Sequence, residues 1–261
     1  MRVSTEFARP LWRSAGGSLY ATVFRQRQWL GRSDAAELMD GDGFSTAELK
    51  ANFRDIQRVN HWFGGTSAIL NELPKLVSDD ADTLSLLDIA TGVADIPVAI
   101  QRWCAARGLA ADITATDIAP EMLALASAQI AGTPGIHLRQ ADAREMPFPS
   151  RSFDVVTCSL ALHHFDPAGA VQVLREMDRL CRTGFIVNDL RRGAIAYGAT
   201  WLASQLTTRN RLTRHDAPLS IRRAYTPGEL RALLDEAGVV DAEVRTLPWF
   251  RVVAVKRANL G

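Results

Sequence analysis

The sequence has 261 residues, of which 47% are hydrophobic and 23% are charged, as is typical of a globular protein with room for one large α/β domain. The formal net charge of +1 predicts no general affinity for nucleic acid or for anionic membranes. No apolar run approaches the roughly 20 residues needed to cross a bilayer. Residues 1–17 have no continuous apolar core, so a secretory signal is not expected there.

The sequence contains three cysteines, Cys104, Cys158 and Cys181, which are far apart and form no Cys-x-x-Cys pair. This number and spacing disfavour both a disulfide framework and a zinc site. Three reduced thiols are typical of a cytoplasmic protein, and we expect the cysteines to be small buried hydrophobic residues.

Helix signals begin after a mixed segment, residues 1–43, that is rich in Arg and Gly. Ser45 and Glu48 form a Ser-x-x-Glu capping box, apolar residues follow at helical spacing, and Gly64-Gly65 ends the pattern. A second helix is predicted from about Thr66 to about Leu76.

From residue 84 onward, short apolar runs alternate with helical patterns. Strands are predicted at 84–90, 112–117, 136–140, 153–159 and 185–189. This βαβα rhythm predicts an α/β fold of three layers, in which helices cover both faces of a mostly parallel sheet. We expect this domain to span residues 79–261, with residues 1–78 as a helical N-terminal extension or cap.

The rhythm is interrupted at residues 190–224, where the apolar stretch 194–206 predicts a helix that could act as a lid. It resumes with Thr226-Pro227-Gly228-Glu229, which has the residues of a helix start. Two further strands, near 240–246 and 250–256, follow this helix and are joined by a short turn, which predicts an antiparallel hairpin. The complete sheet is therefore expected to have seven strands, with an antiparallel strand at its C-terminal end.

Three acidic residues stand at the ends of predicted strands: Asp88 after the first, Asp117 after the second and Asp142 after the third. Because the carboxyl ends of parallel strands converge on one crevice, these carboxylates are expected to lie near a bound ligand. A carboxylate after the second strand can accept hydrogen bonds from both hydroxyls of a ribose. Asp117 lies 25 residues beyond Gly92, so spacing alone does not choose between cofactors.

Four motifs of this sequence resemble, in order and in spacing, those of class I S-adenosylmethionine-dependent methyltransferases of the small-molecule type. They are Leu87–Asp95 in its Asp-x-Ala-x-Gly-x-Ala form, Thr116–Leu123, Gln140–Ala143 with Met146–Phe148, and Ser152–Val156. The resemblance covers about residues 66–189. It implies a Rossmann-like fold, S-adenosyl-L-methionine as the cofactor and S-adenosyl-L-homocysteine as the product.

The resemblance also implies a role for the matching residues. Asp88 would order the loop and help to hold the methionine part of the cofactor, with the backbone of Ala90 to Gly92 beneath it, and Asp117 would bind the ribose hydroxyls. The residues that would surround the adenine are Ile118, Met122, Asp142 and Ala143. Thr91, Asp95 and Ser159 complete the expected cofactor site. The cofactor has no pyrophosphate, so its loop needs fewer glycines than a dinucleotide site.

The segment Ser159–Phe165 follows the fourth strand, where the resemblance places the methyl acceptor. Methyl transfer from a sulfonium requires alignment and, for a weakly acidic hydroxyl such as a phenol, a base. We predict that His163 or His164 is the general base and that Asp189, after the fifth strand, orients it or binds the substrate. The alternative is that one histidine caps the following helix and the other packs in the core.

Two absences narrow the predicted reaction. The segment Thr157–Leu160 lacks the Pro-Pro-aromatic motif common in methyltransferases of base and glutamine nitrogens, and it lacks the carboxylates of metal-dependent catechol methyltransferases. The sequence therefore predicts a metal-independent methyltransferase for a small aromatic, quinol or polyketide-like molecule, as in secondary metabolism. Transfer to oxygen is favoured over transfer to carbon.

The segment 191–223 contains seven arginines and a single acid, Asp216. One interpretation is a solvated face beside a lid helix, and the other is that the lid selects an anionic acceptor, such as a carboxylate, a phosphate or a substrate on a carrier protein. The residues expected to contact the acceptor are Trp62, Tyr197, Trp201, Arg211, Arg214 and His215.

Two other functions stay open at the level of sequence. One is a nucleic-acid or protein methyltransferase that docks through the Arg-rich insert, although the near-neutral total charge disfavours it. The other is a cofactor-binding subunit without catalysis, since a fold does not fix a function. Beyond these, we expect a small-molecule acceptor, no nucleic acid, no membrane span, no metal ion, and a monomer or homodimer.

Overall fold

The strands of the protein form one sheet in a computed structural model that describes residues 31–41 and 43–258. They are β1 Thr83–Ile89, β2 Ala110–Asp117, β3 Ile136–Gln140, β4 Phe153–Ser159, β5 Cys181–Leu190, β6 Ala242–Leu247 and β7 Arg251–Arg257. Their order is β3-β2-β1-β4-β5-β7-β6, and only β7 runs in the direction opposite to the other strands of this sheet. The seven-stranded, mostly parallel sheet and the C-terminal hairpin are thus confirmed.

Eight α-helices lie within the described ranges. They are α1 Thr46–Trp62, α2 Gly65–Leu70, α3 Asp95–Ala105, α4 Pro120–Gln129, α5 Pro167–Leu180, α6 Ala194–Thr207, α7 Arg211–Arg223 and α8 Pro227–Ala237. Both predicted helix starts form capping boxes, in which the hydroxyls of Ser45 and Thr226 accept from the backbone amides of Glu48 and Glu229. No helix in these ranges is long and apolar enough to cross a membrane.

Two segments differ from the sequence-based expectation. The second helix ends at Leu70 rather than near Leu76, and a 3-10 helix, Leu73–Lys75, follows it. Pro74 explains the early end, because it lacks an amide hydrogen and its ring clashes with the preceding turn of an α-helix. The insert contains a second helix, α7, which has Pro218 in its interior and no clear periodicity in sequence.

The sheet is buried on both faces, as the alternation within β1 shows. Leu87 and Ile89 pack in one cluster with residues of α5 and α8, whereas Leu84 and Leu86 pack in the other with residues of α2 and α3. Full burial of such a side chain stabilises the fold by about 1.5–3 kcal/mol. Because a slip of one residue would exchange the two faces, this pattern fixes the register and hence the position of each strand end.

The predicted N-terminal extension, residues 1–78, is described only in part, since residues 1–30 lie outside the described ranges, as do residues 1–17 considered above for a secretory signal. Arg32–Gly261 is one compact unit, to which α1 and α2 belong. The three cysteines are buried and free, as expected.

Candidate active site

The loop after β1 has an unusual backbone. Ala90, Gly92 and Ala94 all have positive φ, at 53°, 56° and 62°. In this left-handed region an L-residue with a Cβ costs about 1 kcal/mol more than glycine. The amide of Thr91 donates to the carbonyl of Thr116 at 2.8 Å and so ties the loop to β2. The backbone therefore has the conformation of a glycine-rich loop, although two of the three residues with positive φ are alanine.

This backbone gives a stability prediction. Ala90→Gly is expected to leave the free energy of unfolding unchanged or to raise it by up to about 1 kcal/mol, because relief of strain offsets the added freedom of the unfolded chain. Ala99→Gly, at another half-buried alanine inside α3, should lower it by about 1 kcal/mol. Urea unfolding of both variants measures the difference; equal losses would contradict the strained loop.

Asp117 joins this loop to the end of β2. Its Oδ2 accepts from the amide of Gly92 at 2.9 Å and its Oδ1 accepts from the amide of Ala119 at 3.0 Å. Burial raises the pKa of Asp117, and the two amides and the charge of a protonated His164 act in the opposite direction. A carboxylate has about four lone-pair positions, so both oxygens can still accept from a ribose diol.

Asp88, at the end of β1, is almost fully buried, with 2% of its surface exposed. The hydroxyl of Thr157 donates to its Oδ1 at 2.6 Å. Burial raises the pKa of Asp88 to about 7, and the negative charges of Asp95 and Asp117 act in the same direction. Asp88 is thus poised to ionise near neutral pH when a cation comes close to it.

The expected adenine residues follow β2, which ends at Asp117, and its neighbour β3. Ile118 is 57% exposed, Met122 is half-buried and Ala143 is buried. Asp142 is engaged, because the guanidinium of Arg144 donates to its Oδ2 at 2.6 Å and the Arg144 amide donates to its Oδ1. An exposed apolar side chain beside a carboxylate that can bind a ribose fits a nucleoside. Asp142 would have to share its oxygens with Arg144.

A second polar network holds α1 against the start of α3. The amide side chain of Asn60 donates to Asp95 Oδ2 at 3.0 Å, and Arg251 donates to Asn60 Oδ1 at 3.2 Å and to the carbonyl of Phe63 at 2.8 Å. A Cβ on Gly65 would come within 2.4 Å of Asn60 Oδ1. Sequence reasoning identified Asp95 but missed its partners, because no local pattern signals that an arginine of β7 is buried.

The predicted residue Ser159, at the end of β4, accepts from Asn188 Nδ2 at 2.8 Å. Thr91, by contrast, is buried within the loop. The cofactor residues predicted from the motifs therefore lie at the ends of β1 to β4 or beyond them, at one edge of the sheet.

The two histidines follow β4 in a 3-10 helix, Leu162–His164, and have different surroundings. His163 is 3% exposed, and its Nδ1 lies 2.7 Å from Asp189 Oδ1 while its amide donates to Asp189 Oδ2 at 2.9 Å. Burial favours the neutral ring, but the charge and hydrogen bond of Asp189, with Glu37, raise the pKa of His163. The His164 side chain is 27% exposed, so His164 is the more accessible of the two.

The segment Arg32–Asp40 lies across this histidine pair. Glu37 Oε1 is 3.8 Å from His163 Nε2 and accepts from the hydroxyl of Ser220, and Asp40 Oδ1 is 3.5 Å from His164 Nδ1. Glu37, His163 and His164 each have a potential ligand atom within 4.8 Å of the others, a spacing that a metal ion could bridge. Sequence reasoning missed both acids, because the mixed segment before Ser45 contains no motif.

Two arginines fix the backbone of the pair. Arg32 donates to the carbonyls of His163 and Phe165 at 2.9 and 2.5 Å, and Arg223 donates to the carbonyl of His164 at 2.8 Å. Arg223 also forms an ion pair with Asp40 at 3.1 Å. The segment Arg32–Asp40, the two histidines and α7 are therefore one connected polar cluster.

The residues expected to contact an acceptor are spread over α1, α6 and α7. Arg211 forms an ion pair with Glu48 at 2.7 Å, and Arg214 donates to the carbonyls of Gln205 and Thr208. Trp62 is 72% exposed, Trp201 is 49% exposed, Tyr197 is half-buried, and His215 Nδ1 is 2.7 Å from Asp216. Both predicted anion-selecting arginines thus have partners within the protein, and their contact with an acceptor stays a prediction.

Comparison with known proteins agrees with this geometry. Residues 86–184 match the family described as "Methyltransferase domain". A demethylmenaquinone methyltransferase from Deinococcus radiodurans is 36% identical over 101 residues, which are 38% of this chain and 39% of that protein. The matched segment therefore spans about two fifths of that curated relative.

Two solved structures are similar in fold over a larger part of the chain. A putative O-methyltransferase from Nostoc punctiforme has a TM-score of 0.54 and 19% identity, and the match covers 92% of this chain and 67% of that one. A putative S-adenosyl-L-methionine-dependent methyltransferase from Methanococcus maripaludis has a TM-score of 0.55 and 13% identity over 85% of this chain and 98% of that one. Residues 86–184 therefore resemble a methyltransferase domain in sequence, and the strand order agrees with the fold of the two solved structures.

Proposed function

We propose that the protein transfers a methyl group from S-adenosylmethionine to a hydroxyl of a small aromatic, quinol or polyketide-like acceptor, without a metal ion. The observation that carries this proposal is that Asp117, a carboxylate that can bind a ribose, and His164, an accessible base, lie at the same edge of the sheet. Asp117 ends β2 and His164 follows β4, and these two strands flank β1 in the sheet. The demethylmenaquinone methyltransferase from D. radiodurans, whose name gives a quinone-type substrate, supports the acceptor class.

The residues present fit the cofactor by their chemistry. Asp117 would hold the ribose, Ile118 would lie against the adenine, and the buried Asp88 would face the cationic methionine part. When bound, S-adenosylmethionine supplies an electrophilic methyl group on a sulfonium that departs as a neutral thioether. The protein has to hold the acceptor oxygen in line with it and remove the hydroxyl proton.

His164 is the residue we assign to proton removal. A phenol with a pKa near 10 is mostly protonated at neutral pH, so a base increases the fraction of nucleophilic oxygen. Asp40, 3.5 Å from His164 Nδ1, would stabilise the imidazolium that forms. His163, held by Asp189 and faced by Glu37, would instead position the 3-10 helix that carries His164.

The insert favours a small acceptor over a nucleic acid. Three of its arginines form ion pairs with acidic side chains, namely Arg192 with Glu229, Arg211 with Glu48 and Arg223 with Asp40. Arginines neutralised in this way contribute little to the release of counterions that drives phosphate-backbone binding.

The test of the proposal is transfer of radiolabelled methyl from S-adenosylmethionine to a panel of phenols, quinols and aromatic acids. A methyl ether formed from at least one hydroxyl compound is expected, and a carbon-methylated product would overturn the choice of oxygen. Cofactor binding without transfer to any acceptor would favour a non-catalytic binding subunit.

Metal independence gives a separate prediction. Removal of divalent ions with EDTA is expected to leave the turnover number unchanged, because His164 needs no Lewis acid to deprotonate a phenol. The rate is measured before and after dialysis against the chelator. A lower rate after dialysis that one divalent ion restores in the wild type but not in Glu37→Gln would contradict metal independence. It would place an ion between Glu37 and the histidines instead.

A further inference from the structure

Helix α6 has two opposite faces of different character. Successive residues of an α-helix are about 100° apart, so Ile195, Leu202 and Leu206 lie on one side and Ala196 and Ser204 lie on the other. Ala196 and Ser204 are buried in a helix that packs on α7. Ile195, Leu202 and Leu206 are 80%, 52% and 76% exposed.

The exposed face is continuous and apolar. The other exposed residues between Ile195 and Leu206 on this side are Gly198 and Ala199, and α6 contains no charged residue along its length. Trp201, 49% exposed, lies outside this face, about 100° from Leu202 around the helix axis. A continuous apolar surface of this kind is characteristic of a docking site rather than of a solvated helix.

Charge at the ends of α6 indicates the chemistry of the partner. Arg191 precedes the helix and Arg209 follows it, and Arg214 donates to the carbonyl of Gln205 and so places its guanidinium beside the last turn. The sequence contains no acidic residue from 190 to 215. The sequence that flanks this apolar helix is therefore cationic, although the net charge of the whole chain is only +1.

This combination matches one class of surface. An interfacial helix buries its apolar face at the boundary of headgroups and acyl chains, and basic residues beside it contact anionic headgroups. We propose that the exposed face of α6 docks on an anionic lipid bilayer, with the helix axis in the plane of the membrane and Arg209 and Arg214 at the lipid phosphates.

Docking would also orient the domain. Helix α6 begins at Ala194, soon after β5 ends at Leu190, so the start of the docked helix lies near the edge of the sheet that bears Asp189 and the histidine pair. A lipid-soluble acceptor would then reach this edge from the membrane, a consequence that rests on the proposed function. The docking itself requires no methyl transfer.

The test is co-sedimentation of the full chain with vesicles of phosphatidylcholine alone or of equimolar phosphatidylcholine and phosphatidylglycerol. The chain is expected to bind the anionic vesicles at least about tenfold more tightly than the neutral ones. The double variant Leu202→Ser/Leu206→Ser should lose at least about tenfold in affinity, and Arg209→Glu should weaken only the anionic binding. Val240→Ser, at an apolar residue that is 67% exposed outside α6, is the matched control and should bind like the wild type.

Thermal unfolding followed by circular dichroism checks that each variant is folded. Absence of binding to both vesicles, or equal binding by the double variant, would overturn the proposal. A dimer of the wild type that the double variant converts to monomer, without vesicle binding, would show that a second copy of the chain covers this face. Because vesicle binding and methyl transfer are measured separately, failure of one leaves the other intact.

Discussion

The free energy of unfolding of the wild type is expected to fall by about 4 kcal/mol relative to that of Asp88→Asn as the pH rises from about 4 to about 8. The cause is the burial that raises the pKa of Asp88 from 3.8 to about 7. Between these two values the folded protein holds a proton that the unfolded chain has released, so stability decreases with rising pH. Above about pH 7 the loss is complete.

Asparagine removes the ionisation and keeps the hydrogen bond, because its Oδ1 can still accept from the hydroxyl of Thr157. Urea unfolding at a series of pH values measures the effect. Asp112→Asn is the control, since Asp112 lies on β2 with a side chain that is 63% exposed. Parallel stability curves for the wild type and Asp88→Asn would contradict the assigned pKa.

The same carboxyl group links stability to cofactor binding. A cation placed beside Asp88 favours its ionised form, so S-adenosylmethionine is expected to bind more tightly as the pH rises through about 7. The Asp88→Asn variant should lose this pH dependence. In this account the protein tolerates an unfavourable buried carboxyl because the cationic cofactor needs it.

Replacement of His164 by Gln is expected to lower the turnover number by about 100-fold, because the variant has no group able to take the acceptor proton at that position. The free energy of unfolding should change little, since the His164 side chain is partly exposed and its contact with Asp40 is 3.5 Å long. The Michaelis constant for S-adenosylmethionine should stay near that of the wild type.

His163→Gln is the matched comparison and should behave differently. It leaves the buried Asp189 without its charged partner, and this is expected to lower the free energy of unfolding by about 3 kcal/mol. Turnover by the remaining folded protein should fall less than in His164→Gln. The opposite ranking of the two variants in turnover would show that His163 is the base.

Much of the fold was predictable because its signals are local. The capping boxes at Ser45 and Thr226, the alternation of short apolar runs with helical patterns, and the turn before β7 each depend on neighbouring residues. The predicted end of α2 near Leu76 was wrong, because Pro74 was given too little weight and the helix ends at Leu70. Helix α7 was missed because its buried positions follow a helical spacing but include Asp216 and Arg223, so the apolar pattern is incomplete.

The candidate site was predictable where motifs follow strands. Asp88, Asp117 and the histidine pair lie at the edge of the sheet that the strand order predicts. Glu37 and Asp40 could not be found in this way, because they reach the histidines through contacts between residues more than 120 positions apart in sequence. Which histidine is accessible also depends on this covering segment, and sequence analysis left the choice open.

Calorimetric titration with S-adenosylmethionine and S-adenosylhomocysteine tests the central claim most directly. We predict micromolar binding of both by the wild type, and a loss of about 100-fold in Asp117→Ala, which removes two charge-assisted hydrogen bonds to the ribose. Asp117→Asn, which can still accept from the Gly92 amide, separates loss of ribose binding from collapse of the loop, and Asp112→Ala is the exposed control. Absence of heat with either compound, or an unchanged affinity in both Asp117 variants, would contradict a cofactor site at the ends of β1 and β2.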